Sequence, residues 1–133
     1  MENTYKVDIV SPEKVVFSDE NIEEVILPSY EGEMGILKDH ISIISFLKPG
    51  IVKIIKSAEQ TDSFFVEDGI VEFCSNKLTV LSSKIEDTKK LNKEKIGYLI
   101  SETEKILNEK KLDDDTQYLM NNKIEVLRSL NFS

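Results

Sequence analysis

The stretch SYEGEMGILKDH, residues 29–40, holds the side chains best suited to chemistry: Glu31 and Glu33, two apart, and His40, the one histidine of the chain. If the segment is extended, both carboxylates share a face, where one protonated and one ionised group could divide acid and base roles. Such work needs a nucleophile or a further base close by, and none follows in the sequence. Acidic residues beside Gly32 and Gly35 are ordinarily solvated turn residues, which sets the catalytic reading aside. A zinc or non-haem iron centre needs several His, Cys or carboxylate ligands converging, and one histidine with one cysteine can scarcely build it. His40 therefore reads as a structural or interface residue. Cys74 has no partner for an intramolecular disulfide and reads as a small apolar residue of the core.

Phosphate chemistry is equally thin. The segment EGEMG lacks the third glycine and the strand-to-helix setting of a dinucleotide fingerprint, and no Walker-type phosphate loop occurs. A net charge of -8, a pI near 4.7 and a single arginine, Arg128, argue against nucleic acid as a partner. No cofactor and no metal are expected. The longest apolar patches are broken by Lys, Ser or Pro, far short of the ~18 residues a spanning helix requires. The opening MENTYKVDIV has neither the basic-then-apolar layout of a signal peptide nor the Arg-rich look of a transit peptide, which predicts a chain kept in the cytosolic compartment.

What must position these residues changes character along the chain. Up to about residue 85 the apolar period is two: Tyr5, Val7 and Ile9 alternate with Lys6 and Asp8. Further strands are expected at 15–17, 25–27 (ending at Pro28), 41–47, 51–56, 63–66, 69–74 and 78–83. Residues 29–40 read as a loop, and Asp68-Gly69 as a tight turn. Many short strands punctuated this way suggest an antiparallel sandwich or flattened barrel. Beyond Asp87 the period becomes helical. Ile96, Leu99, Ile100, Thr103, Ile106 and Leu107 form one stripe, with Asn92 as N-cap. Leu119, Met120, Ile124, Val126, Leu127 and Leu130 form a second, with Asp115 as its cap. The expected class is α+β: a β-sandwich domain over 1–87 and a C-terminal α-helical hairpin over 88–133. Helices this short gain most of their stability from packing, so the hairpin needs a neighbour, the sheet or another protein.

Taken in order, several segments resemble the epsilon subunit of the F-type ATP synthase, equivalent to the mitochondrial delta subunit. SYEGEMGI at 29–36 is similar to that family's Ser-x-Glu-Gly-Glu-Leu-Gly-Ile signature, with His40 at the usual distance and LKPG at 47–50. The opening TYKVDIVSPEKVVFS, the segment DGIVEF at 68–73 and LTVLSS at 78–83 match in turn, so the resemblance covers the whole chain. It implies a ten-stranded β-sandwich with a helical hairpin and no catalytic site. The implied role is that of a rotor subunit on the central stalk, coupling proton flow through the membrane sector to ATP synthesis in the catalytic head. The implied partners are the gamma subunit and the c-ring, with the protein peripheral to a bacterial inner membrane on its cytoplasmic side. Glu31, Gly32, Glu33 and Met34 would form the contact loop at the ring, with His40 turned toward gamma.

The resemblance also implies that the tail can leave the sandwich in many members, extend along gamma and block ATP hydrolysis, touching the alpha and beta subunits. Some members bind ATP through an Ile/Leu-Asp-x-x-Arg-Ala motif at the first helix. Here Leu91 is kept, but Asn92, Lys95 and Ile96 stand where Asp, Arg and Ala would be. Lysine does not reproduce a planar guanidinium, so ATP binding is expected to be weak or absent. Inhibition is weakly supported too, because the second helix offers only Lys123 and Arg128 as cations. Two readings from other classes are a freestanding β-sandwich enzyme, which would want a histidine cluster, and a nucleotide-sensing module, which the altered motif disfavours.

Overall fold

The computed structural model describes residues 3–109 and 111–130. Ten strands come first: β1 (Tyr5–Val10), β2 (Val15–Ile22), β3 (Glu24–Ser29), β4 (Gly32–Leu37), β5 (Ile43–Leu47), β6 (Gly50–Ser57), β7 (Gln60–Val66), β8 (Gly69–Cys74), β9 (Lys77–Leu81) and β10 (Ile85–Asp87). A single 3-10 turn at Thr88–Lys90 leads into α1 (Lys93–Glu109) and α2 (Asp114–Ser129). The α+β plan expected from the change of period is the plan of the molecule.

The strands follow one another as β10-β7-β6-β3-β5-β8-β9-β1-β2, with β4 added on β3. Only Ser29 and Leu47 pair at the β3–β5 junction, and the sheet folds over there into two layers. All pairings are antiparallel except β1 with β9, which run parallel from Lys6–Lys77 to Val10–Leu81. Inward residues alternate strictly: Tyr5, Val7 and Ile9 from β1, Val71 and Phe73 from β8, Val52 and Ile54 from β6 all meet in one core. The Tyr5 ring stands edge-on to Phe73 at 5.3 Å, and its hydroxyl donates to the Ile36 carbonyl. Burial pushes that phenol far above its usual pKa, so it stays neutral and acts as a donor.

Three strand expectations are corrected. Residues 32–37 are a strand, not a loop, paired along their whole length with β3 from Ser29–Gly32 to Glu24–Leu37. β3 does not stop before Pro28 but runs through it to Ser29. Proline is tolerated because β3 pairs with β6 only from Glu24 to Ile26, leaving no ladder donor missing at position 28. At Gly50 a Cβ would lie 2.5 Å from the Pro28 Cβ, so only glycine lets this turn close on that ring. Finally, Asp68-Gly69 is no hairpin turn: β7 pairs with β6 and β10, while β8 pairs with β5 and β9, so the chain turns a corner between layers.

The helical stripes pack as expected, and they close on the outside of the first layer. Ile51 and Phe65, paired across β6 and β7, point away from the sandwich core and meet Leu91, Ile96 and Leu127 in a second, smaller cluster. Asn92 caps α1, its Oδ1 accepting the Lys95 N–H at 2.8 Å. The cap of α2 is Asp113 rather than Asp115: its carboxylate accepts the Thr116 N–H at 2.7 Å, and the Thr116 hydroxyl, then that N–H, hold it below its ordinary value. Lys123 reaches from α2 to Glu67 at the corner after β7, at 2.6 Å with both side chains largely covered.

Candidate functional site

Tyr30 and Glu31 form the two-residue turn between β3 and β4, and the Ser29 hydroxyl donates to the Gly32 carbonyl at 2.6 Å across it. Gly32 has φ +120, a conformation side chains rarely adopt, which explains the glycine without any close neighbour. Glu31, Gly32 and Glu33 are exposed, and neither carboxylate has an ion-pair or hydrogen-bond partner among the described residues. The tip is an acidic knuckle held on a rigid hairpin. Met34 behaves otherwise: it is half-buried against the core and presents little to a partner.

His40 follows β4, at the far end of the hairpin from the tip. Five strand steps separate the two ends, roughly 17 Å at the usual rise, too far for one proton-transfer site. The acid pair and the histidine are thus not a constellation. His40 is half-buried, its ring edge-on to Phe73 at 6.0 Å and its Nδ1 2.7 Å from the Ile41 carbonyl. Since a carbonyl only accepts, Nδ1 carries the proton in that bond. Among the described residues no three His, Cys, Asp or Glu side chains gather as a metal site would require.

The positions of the altered ATP motif are taken up by structure. Leu91 and Ile96 are buried in the seam against Phe65, Asn92 is a cap, and Lys95 lies 6.0 Å from the Tyr98 ring on the exposed side of α1. They do not converge on a common point.

A surface that the sequence reading missed is the outer face of the second layer. Phe46 on β5 pairs with Ile70 on β8, Ile70 with Leu81 on β9, Leu81 with Val10 on β1, and Val10 with Val15 on β2. One apolar residue from each of five strands lies in a single row across the sheet. Phe46 is 64% exposed, and Ile44, one pleat along, 70%. Ile41, just before β5, is the most exposed large apolar residue among the described residues at 77%. A shallow hollow of about 530 Å³ at the tip end joins Phe46, Ile70 and Leu81 to Tyr30 and to Leu119 of α2. Cys74 also faces outward, not into the core as expected, since strand alternation that buries Phe73 must expose its neighbour. Exposed apolar side chains grouped in this way on an otherwise acidic surface make this face a candidate contact surface.

Comparison with known proteins shows the family. Residues 4–88 match the family model for the ATP synthase, Delta/Epsilon chain, beta-sandwich domain. The chain belongs to this family. It is 50% identical over 131 residues to the ATP synthase epsilon chain of Pelagibacter ubique, covering 98% of this chain and 100% of that one. It is 29% identical over 126 residues to the mitochondrial ATP synthase subunit delta of Pichia angusta, covering 94% and 78%. Among solved structures, the fold is shared with a chain of the Euglena gracilis mitochondrial ATP synthase OSCP/F1/c-ring assembly, at a TM-score of 0.74, 16% identity and coverage of 96% and 79%. A chain of the Tetrahymena thermophila central stalk and c-ring gives 0.67, 15%, and 92% of each.

Proposed function

We propose that this chain is the epsilon-type rotor subunit of an F-type ATP synthase, a non-catalytic part that passes torque between the proton-driven membrane sector and the catalytic head. Its apolar outer face seats the gamma subunit, and the Tyr30–Glu33 tip rests on the polar loops of the c-ring. The observation that carries the contact assignment is the five-strand row from Phe46 to Val15, which a freestanding sandwich enzyme would have no reason to leave bare. Glu31 and Glu33 at the tip favour charge-assisted bonds to ring groups. One exposed pair of this kind is worth about 0.2–1 kcal/mol, so the tip sets register while the apolar face supplies grip. No helix of the described residues is long and apolar enough to cross a membrane. The subunit therefore meets the membrane through its partners, and its proposed place is the cytoplasmic face of a bacterial inner membrane.

Cysteine cross-linking in native membranes tests this, with Cys74 first replaced because it is exposed and would compete. A Glu33→Cys variant is expected to join to c, and Phe46→Cys to gamma. Exchange of the two targets, or a chain that does not co-purify with gamma, refutes the reading.

For the tail, the docked state is the proposed resident one. Both cations of α2 are engaged in the docked state, Lys123 with Glu67 in a well-covered pair and Arg128 with Glu104 at 3.0 Å in an exposed one. Deleting residues 88–133 is expected to leave ATP hydrolysis by the membrane-bound complex unchanged. A marked rise would show that the tail inhibits.

A further inference from the structure

Where β8 turns into β9, Ser75 and Asn76 both have positive φ, 50 and 58, as a two-residue hairpin turn requires. A glycine or an aspartate would make that turn equally well. The Asn76 side chain does something further: its Oδ1 accepts the Asp39 N–H at 2.7 Å and its Nδ2 donates to the Asp39 carboxylate at 2.9 Å. Its own backbone carbonyl accepts the Lys6 N–H at 3.2 Å, which ties the turn to the start of β1. Asp39 is itself at φ 66, a strained conformation for a residue with a side chain. The same loop is closed by the His40 N–H on the Leu37 carbonyl at 3.1 Å and steadied by His40 against Phe73.

All of this machinery fixes a loop whose product is an isoleucine standing in solvent. Ile41 follows His40 directly, and Ile44 lies at the same end of the exposed face, continuous with Phe46. Ordering a loop before an encounter removes the entropy that binding would otherwise lose. Resting on the reading given under Proposed function, we propose that Asn76 is a positioning residue that clamps the 38–42 loop so that Ile41 leads the apolar face onto gamma. The side chain of Asn76 touches the partner nowhere. It acts by reciprocal hydrogen bonds to Asp39, which hold Ile41 exposed at the end of the apolar face.

The test is a double-substitution cycle on the full chain, titrated against the gamma subunit of the same organism. Asn76→Gly keeps the turn conformation and removes both bonds to Asp39; it is expected to weaken binding about tenfold, in the range that ordering a few residues commands, and to speed amide exchange at residues 39–42. Ile41→Ala is expected to weaken binding several-fold in the wild-type background and much less beside Asn76→Gly. A merely structural role for Asn76 would lower thermal stability and leave the Ile41 effect undiminished. Strict additivity, or unchanged affinity with Asn76→Gly, overturns this proposal alone. A wild-type chain with no affinity for gamma overturns the functional reading and this inference with it.

Discussion

The sandwich and the helical hairpin are built on opposite economies of burial. Two layers of strands enclose a core in which Val7, Ile9, Val25, Leu27, Val71 and Val80 are wholly shielded, and every wall of that core belongs to the sandwich itself. The hairpin shields little more than Ile96, Thr103, Ile124 and Leu127, and one wall of its seam, Ile51 and Phe65, is borrowed from the back of β6 and β7. We infer from the difference that the sandwich folds as a unit and that the helices are an adherent layer, attached by a short seam and one well-covered ion pair.

The largest test of that contrast is Phe73→Ala, which removes a fully buried ring that also steadies Tyr5 and His40. Its expected cost is about 3–5 kcal/mol, with loss of cooperative unfolding of the whole chain by circular dichroism. Leu127→Ala is expected to cost about 2–5 kcal/mol of hairpin docking, yet to leave the sandwich resonances of a heteronuclear spectrum in place. If both changes unfold the whole molecule together, the two-part description is wrong.

Smaller effects sharpen the picture. Reversing either charge of the pair, Glu67→Lys or Lys123→Glu, is expected to cost about 1–2 kcal/mol, between the exposed and buried limits. The double reversal should recover most of it in a proteolysis assay of the hairpin. Asp113→Ala removes the α2 cap and is expected to loosen the hairpin less than either single charge reversal. Smallest is the acid response. The Asn21 N–H and then Lys56 hold Asp19 below its ordinary value, and Thr116 does the same for Asp113. A carboxylate depressed on folding stabilises the fold above its unfolded value near 3.9 and loses that contribution as pH falls through the depressed one. Urea midpoints should be flat from pH 7 to 5 and decline below about 4, less steeply in Asp19→Asn.

The sandwich, its inward alternation and the two helical stripes were legible because each rests on a period, and burial enforces period strongly. β4 was hidden because only Met34 and Ile36 carry an apolar inward pattern in a strand that also holds Gly32, Glu33 and Gly35; pairing with β3 outweighed weak strand propensity. Asp113, Asp114 and Asp115 are each chemically able to cap α2, and only the packing register chooses the first. The apolar row had a signal in ISIISFL, where both parities are apolar, as in a strand covered on both sides. Glu31 and Glu33 could be picked out from type and spacing, but their distance from His40 depended on recognising β4.

One pairing constrains how the molecule comes into being. β1 leaves the ribosome before the other described strands, yet its parallel neighbour β9 is among the last of them made, since Val10 must wait for Leu81. At roughly 5–20 residues per second of synthesis, the first strand stays uncovered on that edge for several seconds. The nascent chain is therefore open to wrong pairings until the sandwich is nearly complete, and the helices that follow it emerge onto a surface already formed.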